Sequence, residues 1–406
     1  MWEQIRSNRI RSAILVAVMG GLLVAVGFFL GAALMGSGVA GLVLALVIWI
    51  VMSLVAFFQG DSILLSISRA RKIGRDDHPR LYNIVEEMKI ASGLEKMPDI
   101  YIIDDPALNA FATGRDPSRA SVAITSGLLQ KLDRAELQGV IAHEISHISN
   151  RDVLLMAISS VLLGTIVILA WYASRLIFFS GMSGGRRRSS GGGGGAAQII
   201  IVAAALVLMI LAPIIAQFIY FAISRRREYL ADASGALYTR YPEGLASALE
   251  KISSSTTQLK SANQALAPMY ILNPFRKEGR AATDLTSTHP PISERIRILR
   301  SMAGGASLAD YEKAYRQVRS SNKGVIPTSA LSGMAAVPIQ PAGPVEMDAD
   351  RTTMARETSD LLWRQSGYSI IDCQCGTRLK VPSNFQGNEI RCPHCGTLNP
   401  VRRRGQ

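Results

Sequence analysis

Cysteine is absent until Cys373, so no disulfide staples the bulk of the chain. Charge is scarce as well: Asp, Glu, Lys and Arg make up 18% of the 406 residues, and none occurs from Ser12 to Gly60. With 48% hydrophobic residues and a mean hydropathy of +0.21, that scarcity excludes an ordinary soluble protein and predicts membrane segments. Aromatics amount to only 6%, and no basic patch is interleaved with them, so the net charge of +13 does not read as a nucleic-acid surface. The arginines fall instead in short groups beside apolar runs, which is how charge marks membrane topology. No internal repeat is present.

Arg6, Arg9 and Arg11 precede the uncharged run, which holds two spans of about 20 residues each, near 12–35 and 39–59, turned at Gly36-Ser37-Gly38. The run is too long for the apolar core of a signal peptide, about 7–15 residues. Arg69, Arg71, Lys72 and Arg75 follow, so both ends of this hairpin are predicted to be cytoplasmic. Globular composition begins near Arg75, with a helix expected over His78 to Ser92 and strands over Pro98 to Asp104 and Ala120 to Thr125. Val153 to Ser174 and Ile199 to Ser224 are again long and apolar enough to cross a bilayer. Arg186-Arg187-Arg188 and the run Gly191 to Gly195 lie between them, and that loop is predicted across the membrane, against the positive-inside tendency, the alternative being two segments that only dip into the bilayer. Further helices are expected over Arg227 to Tyr238, Pro242 to Ser253 and Ile292 to Met302. Ser320 to Gly367, rich in Pro, Ala, Ser and Gly, reads as a linker of low order, ahead of a small module that ends at Pro400.

Chemistry concentrates in Ala142-His143-Glu144-Ile145-Ser146-His147. Two imidazoles four residues apart share one face of a helix, where their nitrogens can ligate one zinc, and Glu144 between them can reach a water. Asp133 with Glu136 predicts the capped start of that helix, and Leu137, Val140, Ile141, Ile145 and Ile148 give its apolar stripe. A catalytic zinc wants a third protein ligand and an open position. The metzincin pattern is excluded, because Asn150 and Val153 stand where it requires Gly and His. Glu228, in Arg227-Glu228-Tyr229-Leu230-Ala231-Asp232, is the candidate third ligand, with Asp232 one turn on as a carboxylate for the far side of a ligating imidazole. Taken without the first motif, the same stretch reads as a solvated cluster of charges. That shared zinc is the reason for putting both ends of the second hairpin on one side of the membrane.

Cys373-Gln374-Cys375 and Cys392-Pro393-His394-Cys395, each followed by Gly, read as a small zinc ribbon with a closed four-thiolate site, structural because no position is left for water. His394 or Asp372 in place of one thiolate, and redox-active cysteine pairs, are the alternatives.

The His143 to His147 and Arg227 to Asp232 motifs, together with Asn109-Ala-Phe-Ala-Thr-Gly114 and Ser287-Thr-His-Pro-Pro291 followed by Arg295, resemble the HtpX group of membrane zinc metallopeptidases, relatives of the CAAX prenyl proteases, while the cysteine module departs from that group's pattern. The resemblance covers residues 1–305. It implies that His143, His147 and Glu228 bind zinc, that Glu144 is the general base, and that the activity is endoproteolysis of membrane proteins in quality control. It also implies that Asn109, Ala110, Phe111 and Ala112 form an edge strand to which an extended substrate adds. His289 and Arg295 match the group's HPPxxxR string and join the catalytic set, with His289 as a donor to the oxyanion.

The expected fold class is a mostly α membrane protein with four transmembrane helices, an α+β zincin-type catalytic domain and a β zinc ribbon. Its expected boundaries are a first hairpin at 1–60, catalytic segments at 61–152 and 225–318 around a second hairpin at 153–224, a linker at 319–367 and the ribbon at 368–400. The expected activity is a gluzincin-type zinc endopeptidase in a bacterial inner membrane, with active site and C-terminus cytoplasmic. One catalytic and one structural Zn2+, polypeptide substrates and the lipid bilayer are its expected partners. The alternatives are a prenyl-protein endoprotease and a catalytically silent adaptor that binds a partner through the ribbon; intact Glu144 argues against the adaptor.

Overall fold

The computed structural model describes residues 2–182, 195–260, 269–271, 290–302, 304–320, 324–331, 337–340 and 351–401. Helices α1 (Trp2–Leu34) and α2 (Gly38–Ile67) form a hairpin turned at Gly36, whose φ of 71° suits glycine. They approach so closely that a Cβ on Gly41 would lie 2.1 Å from the Gly27 carbonyl oxygen. Strand β1 (Arg71–Ile73), helix α3 (Pro79–Ser92), strands β2 (Asp99–Ile103), β3 (Ala110–Gly114) and β4 (Ala120–Thr125), and helices α4 (Ser126–Lys131) and α5 (Arg134–Ser149) follow. Next come α6 (Val153–Met182), α7 (Gly195–Thr239), α8 (Pro242–Ser254), α9 (Ile292–Arg300), α10 (Leu308–Arg319), α11 (Thr328–Leu331) and α12 (Arg351–Gln365). The last module holds β5 (Ser369–Asp372), β6 (Arg378–Val381), β7 (Glu389–Arg391) and β8 (Leu398–Pro400).

Three stretches among the described residues are long and apolar enough to cross a membrane: Val16–Leu34, Gly38–Ile67 and Val153–Tyr172. Only 17% of the α2 window is buried inside the protein, so its side chains call for lipid rather than water. A fourth apolar stretch, Ile200–Ala216, is shorter. The sequence separates this stretch from the helix that carries Glu228, whereas the structure joins them. Helix α7 runs unbroken for 45 residues through Pro213 and the arginines at 225–227, a rod about 68 Å long. The 183–194 loop lies outside the described residues.

The sheet order is β1-β2-β4-β3, with β2 parallel to β4 and the outer pairs antiparallel. One buried cluster, running from Leu64 to Leu361, joins this sheet to α3, α5 and α8. Gly139 of α5 meets the Leu245 backbone of α8, where an added Cβ would fall 2.6 Å from the Leu245 nitrogen. The three-residue β1 is too short to read from sequence. The stretch read as a linker contains α12, because Met354, Thr358 and Leu361 at helical spacing are all buried. Arg80 reaches from α3 both to Met354 Sδ, at 2.7 Å, and to the Leu132 carbonyl, at 3.1 Å, just ahead of α5.

Candidate metal centre

Helix α5 starts as its sequence predicts. The Glu136 backbone N–H donates to Asp133 Oδ1 at 2.8 Å, and the Asp133 N–H donates to Glu136 Oε2 at 2.9 Å. The helix then presents His143 and His147 from one face, ring centroids 4.8 Å apart. Glu228 of α7 lies opposite, its Oε2 3.5 Å from His143 Nε2 and its Oε1 3.5 Å from His147 Nε2. All three are buried, with ligand atoms within 4.8 Å of one another. Bonds of 2.0–2.2 Å to a tetrahedral zinc put neighbouring ligand atoms about 3.4 Å apart, so the donor set and its spacing fit zinc. Gly235 lets α7 lie this close, since an added Cβ there would sit 3.2 Å from the His143 nitrogen.

The other ring nitrogens meet carboxylates. His143 Nδ1 is 3.0 Å from Asp232 Oδ1, and His147 Nδ1 is 3.4 Å from Asp152 Oδ2. These contacts direct each Nε2 toward Glu228 and set the tautomer. Arg295 donates from Nε and Nη2 to Asp232 at 2.8 and 2.7 Å, and its Nη1 lies 3.5 Å from Glu228 Oε2. Arg295 thus contacts Glu228 directly and His143 through Asp232. Burial alone would lower the pKa of His143, but hydrogen bonds to Asp232 and Glu228 outweigh it and push the value up to about 9. Burial likewise opposes the Asp232 charge, and the Arg295 guanidinium overcomes it, holding that carboxyl below its usual range.

Asp152 escaped the sequence reading. The chain reverses at Arg151, with φ 57°, and the Asp152 N–H donates to the His147 carbonyl at 2.9 Å, returning the carboxylate to the helix it has just left. An acid five residues past the second histidine, after a helix stop, was the available signal. Glu144 is 2% exposed on α5 beside His143. His289 lies outside the described residues.

Asn109, Ala110, Phe111 and Ala112 are all buried at the outer strand of the sheet. The Thr125 N–H donates to the Asn109 carbonyl, so ladder alternation turns the main chain of Ala110 and Ala112 outward. Ala110 is already engaged: its N–H donates to Asn109 Oδ1 and its carbonyl accepts from Ile271, both at 3.1 Å. Ala112 is the next outward-facing residue.

The four cysteines are free thiols at the tips of the β5–β6 and β7–β8 hairpins. Cys373 Sγ lies 3.5 Å from Cys395 Sγ, and Cys375 Sγ lies 3.7 Å from Cys392 Sγ. Zn–S bonds of 2.3 Å give edges of about 3.8 Å, so this donor set also fits zinc.

Residues 75–303 match Peptidase family M48. A Protease HtpX homolog from Dictyoglomus turgidum is 43% identical over 314 residues, covering 77% of this chain and 98% of that protein. Another, from Streptococcus uberis, is 41% identical over 302 residues, covering 74% and 100% respectively. The crystal structure of S. mikatae Ste24p overlaps loosely, with a TM-score of 0.39 and 20% identity over 74% of this chain and 67% of that one. By the matched family and the extent of the HtpX likeness, the chain belongs to Peptidase family M48 and is a membrane metalloprotease.

Proposed function

We propose that the protein is a multi-pass zinc endopeptidase of a bacterial inner membrane that cleaves membrane or misfolded polypeptides on the cytoplasmic side, in quality control. The observation that carries this reading is the His143, His147 and Glu228 cluster, built on the same α7 rod that continues the apolar stretch Ile200–Ala216. Four spans, with the second hairpin crossing as the first does, keep both catalytic segments on one side. The basic residues flanking the first hairpin favour the cytoplasm for that side.

His143, His147 and Glu228 would hold the catalytic zinc, and the four cysteines a structural one. The catalytic zinc, when bound, supplies Lewis acidity that activates a water and polarises the scissile carbonyl. Glu144 takes the proton of the attacking water and delivers it to the departing amide nitrogen. Asp232 and Asp152 keep both imidazoles oriented, and Arg295 fixes Asp232 and compensates its charge. The substrate strand pairs with the edge at Ala112, and His289 donates to the developing oxyanion. The test is cleavage of an unfolded membrane protein by the purified chain in proteoliposomes. Wild type is expected to cut and Glu144→Gln to lose at least about a hundredfold in rate. Equal cutting by both would overturn the reading.

A further inference from the structure

A cavity of 470 Å³ lies between the two ribbon hairpins, lined by Arg364, Tyr368, all four residues of β5, Asn399 and Pro400. Side chains alternate across a strand, so a cavity on one face would meet every second residue. Four consecutive lining residues mean that it runs along the β5 edge, and β6 holds the opposite edge.

Ladder phase says what that edge offers. The Cys373 N–H donates to the Thr377 carbonyl at 2.9 Å, which makes Ile371 and Ser369 the residues bonded to β6. Ile370 and Asp372 therefore turn their N–H and C=O groups into the cavity. Across it, the Cys392 N–H bonds the Thr397 carbonyl and the Val401 N–H bonds the Asn388 carbonyl, so Leu398 and Pro400 are the residues of β8 turned outward, and of the two Pro400 lines the cavity. Proline has no N–H, so β8 offers no donor to β5 at this position.

We propose that this slot binds an extended segment of unfolded polypeptide by strand addition to β5, retaining substrate on the body that carries the metal centre. Four strand residues span about 13 Å, enough for two main-chain hydrogen-bonding positions. The side chains beside them are apolar at Ile370, Ile371 and Tyr368, and Asp372 is already paired with Arg378 at 3.3 Å. Among the described residues Arg364 is the one cation lining the slot, and residues 351–406 carry nine Lys and Arg against four Asp and Glu. That balance favours a peptide bearing a carboxylate. The slot is fixed to the peptidase body: Arg378 is ion-paired with Asp360 of α12, Lys380 lies 4.7 Å over Trp363, and Leu361 is buried in the main core.

The retention role rests on the proposed protease reading, so the test reads binding alone. The full-length chain in detergent, as Glu144→Gln, is titrated against fluorescein-labelled, reduced and carboxymethylated α-lactalbumin by fluorescence anisotropy. Ile370→Pro deletes an outward donor and leaves the β5–β6 bonds in place; it is expected to raise Kd about fivefold with ribbon zinc content unchanged. Arg364→Glu, on an exposed helix position, is expected to raise Kd about threefold and serves if the proline variant loses its zinc. Parental affinity in both zinc-retaining variants would overturn the proposal. So would complete displacement of the probe by a single-stranded oligonucleotide. A wild-type chain that binds but does not cut would fail the protease reading and leave the slot standing.

Discussion

Asp232 is fully buried between one imidazole and one guanidinium, and it joins the ligand shell to α9. Truncating its charge leaves the His143 tautomer undirected and Arg295 half compensated. Asp232→Asn is therefore expected to weaken zinc binding by about 10–100-fold, measured by competition with a chromophoric chelator; wild-type affinity would contradict its orienting role. This residue was legible in the sequence because it sits one helical turn beyond Glu228, as His147 sits one turn beyond His143. Arg295 was legible only through the resemblance of its surroundings to the HPPxxxR string, and its place behind the ligands depends on α9 meeting α7, a contact no local pattern encodes. The closure of the Ala110 carbonyl by Ile271 is hidden for the same reason.

His78 caps α3, its Nδ1 accepting the Leu81 N–H at 3.2 Å, which requires a neutral ring. Burial, with the Arg80 charge adding to it, pushes its pKa down to about 4 from 6.5. The unfolded chain takes up this proton first as pH falls, so the cap's full stability is present above pH 6.5. It drains away toward pH 4, by about 3 kcal/mol in all. His78→Asn keeps a capping acceptor that does not titrate. Its thermal midpoint in detergent is expected to fall less than that of wild type between pH 6.5 and 4.5, and parallel falls would refute the assignment. Strong local signals, such as the Asp133 and Glu136 capping box or the Pro79 helix start, made α5 and α3 readable. Strand β1 offered three residues, and α12 only Met354 and Leu361 with Thr358 between them, inside a stretch rich in Pro, Ala, Ser and Gly.

At the scale of the whole molecule, two long-range connections matter. Helix α7 carries the apolar stretch Ile200–Ala216 at one end and Glu228 with Asp232 further along, so the metal centre and that stretch share one helix. Helix α12 docks the ribbon module on α4, and Leu361, 1% exposed, is its deepest contact with the main core. Leu361→Ala is expected to destabilise the chain by about 2–5 kcal/mol, seen as a lowered thermal midpoint in detergent. An unchanged midpoint would mean that the module is not held by the core. The most direct test of the central claim is the zinc content of the purified chain after dialysis. The His143, His147 and Glu228 site and the four-cysteine site predict two ions per chain in wild type and one in Glu228→Ala, the ribbon's ion being retained. Two ions retained in Glu228→Ala would contradict the assignment of Glu228 as the third ligand.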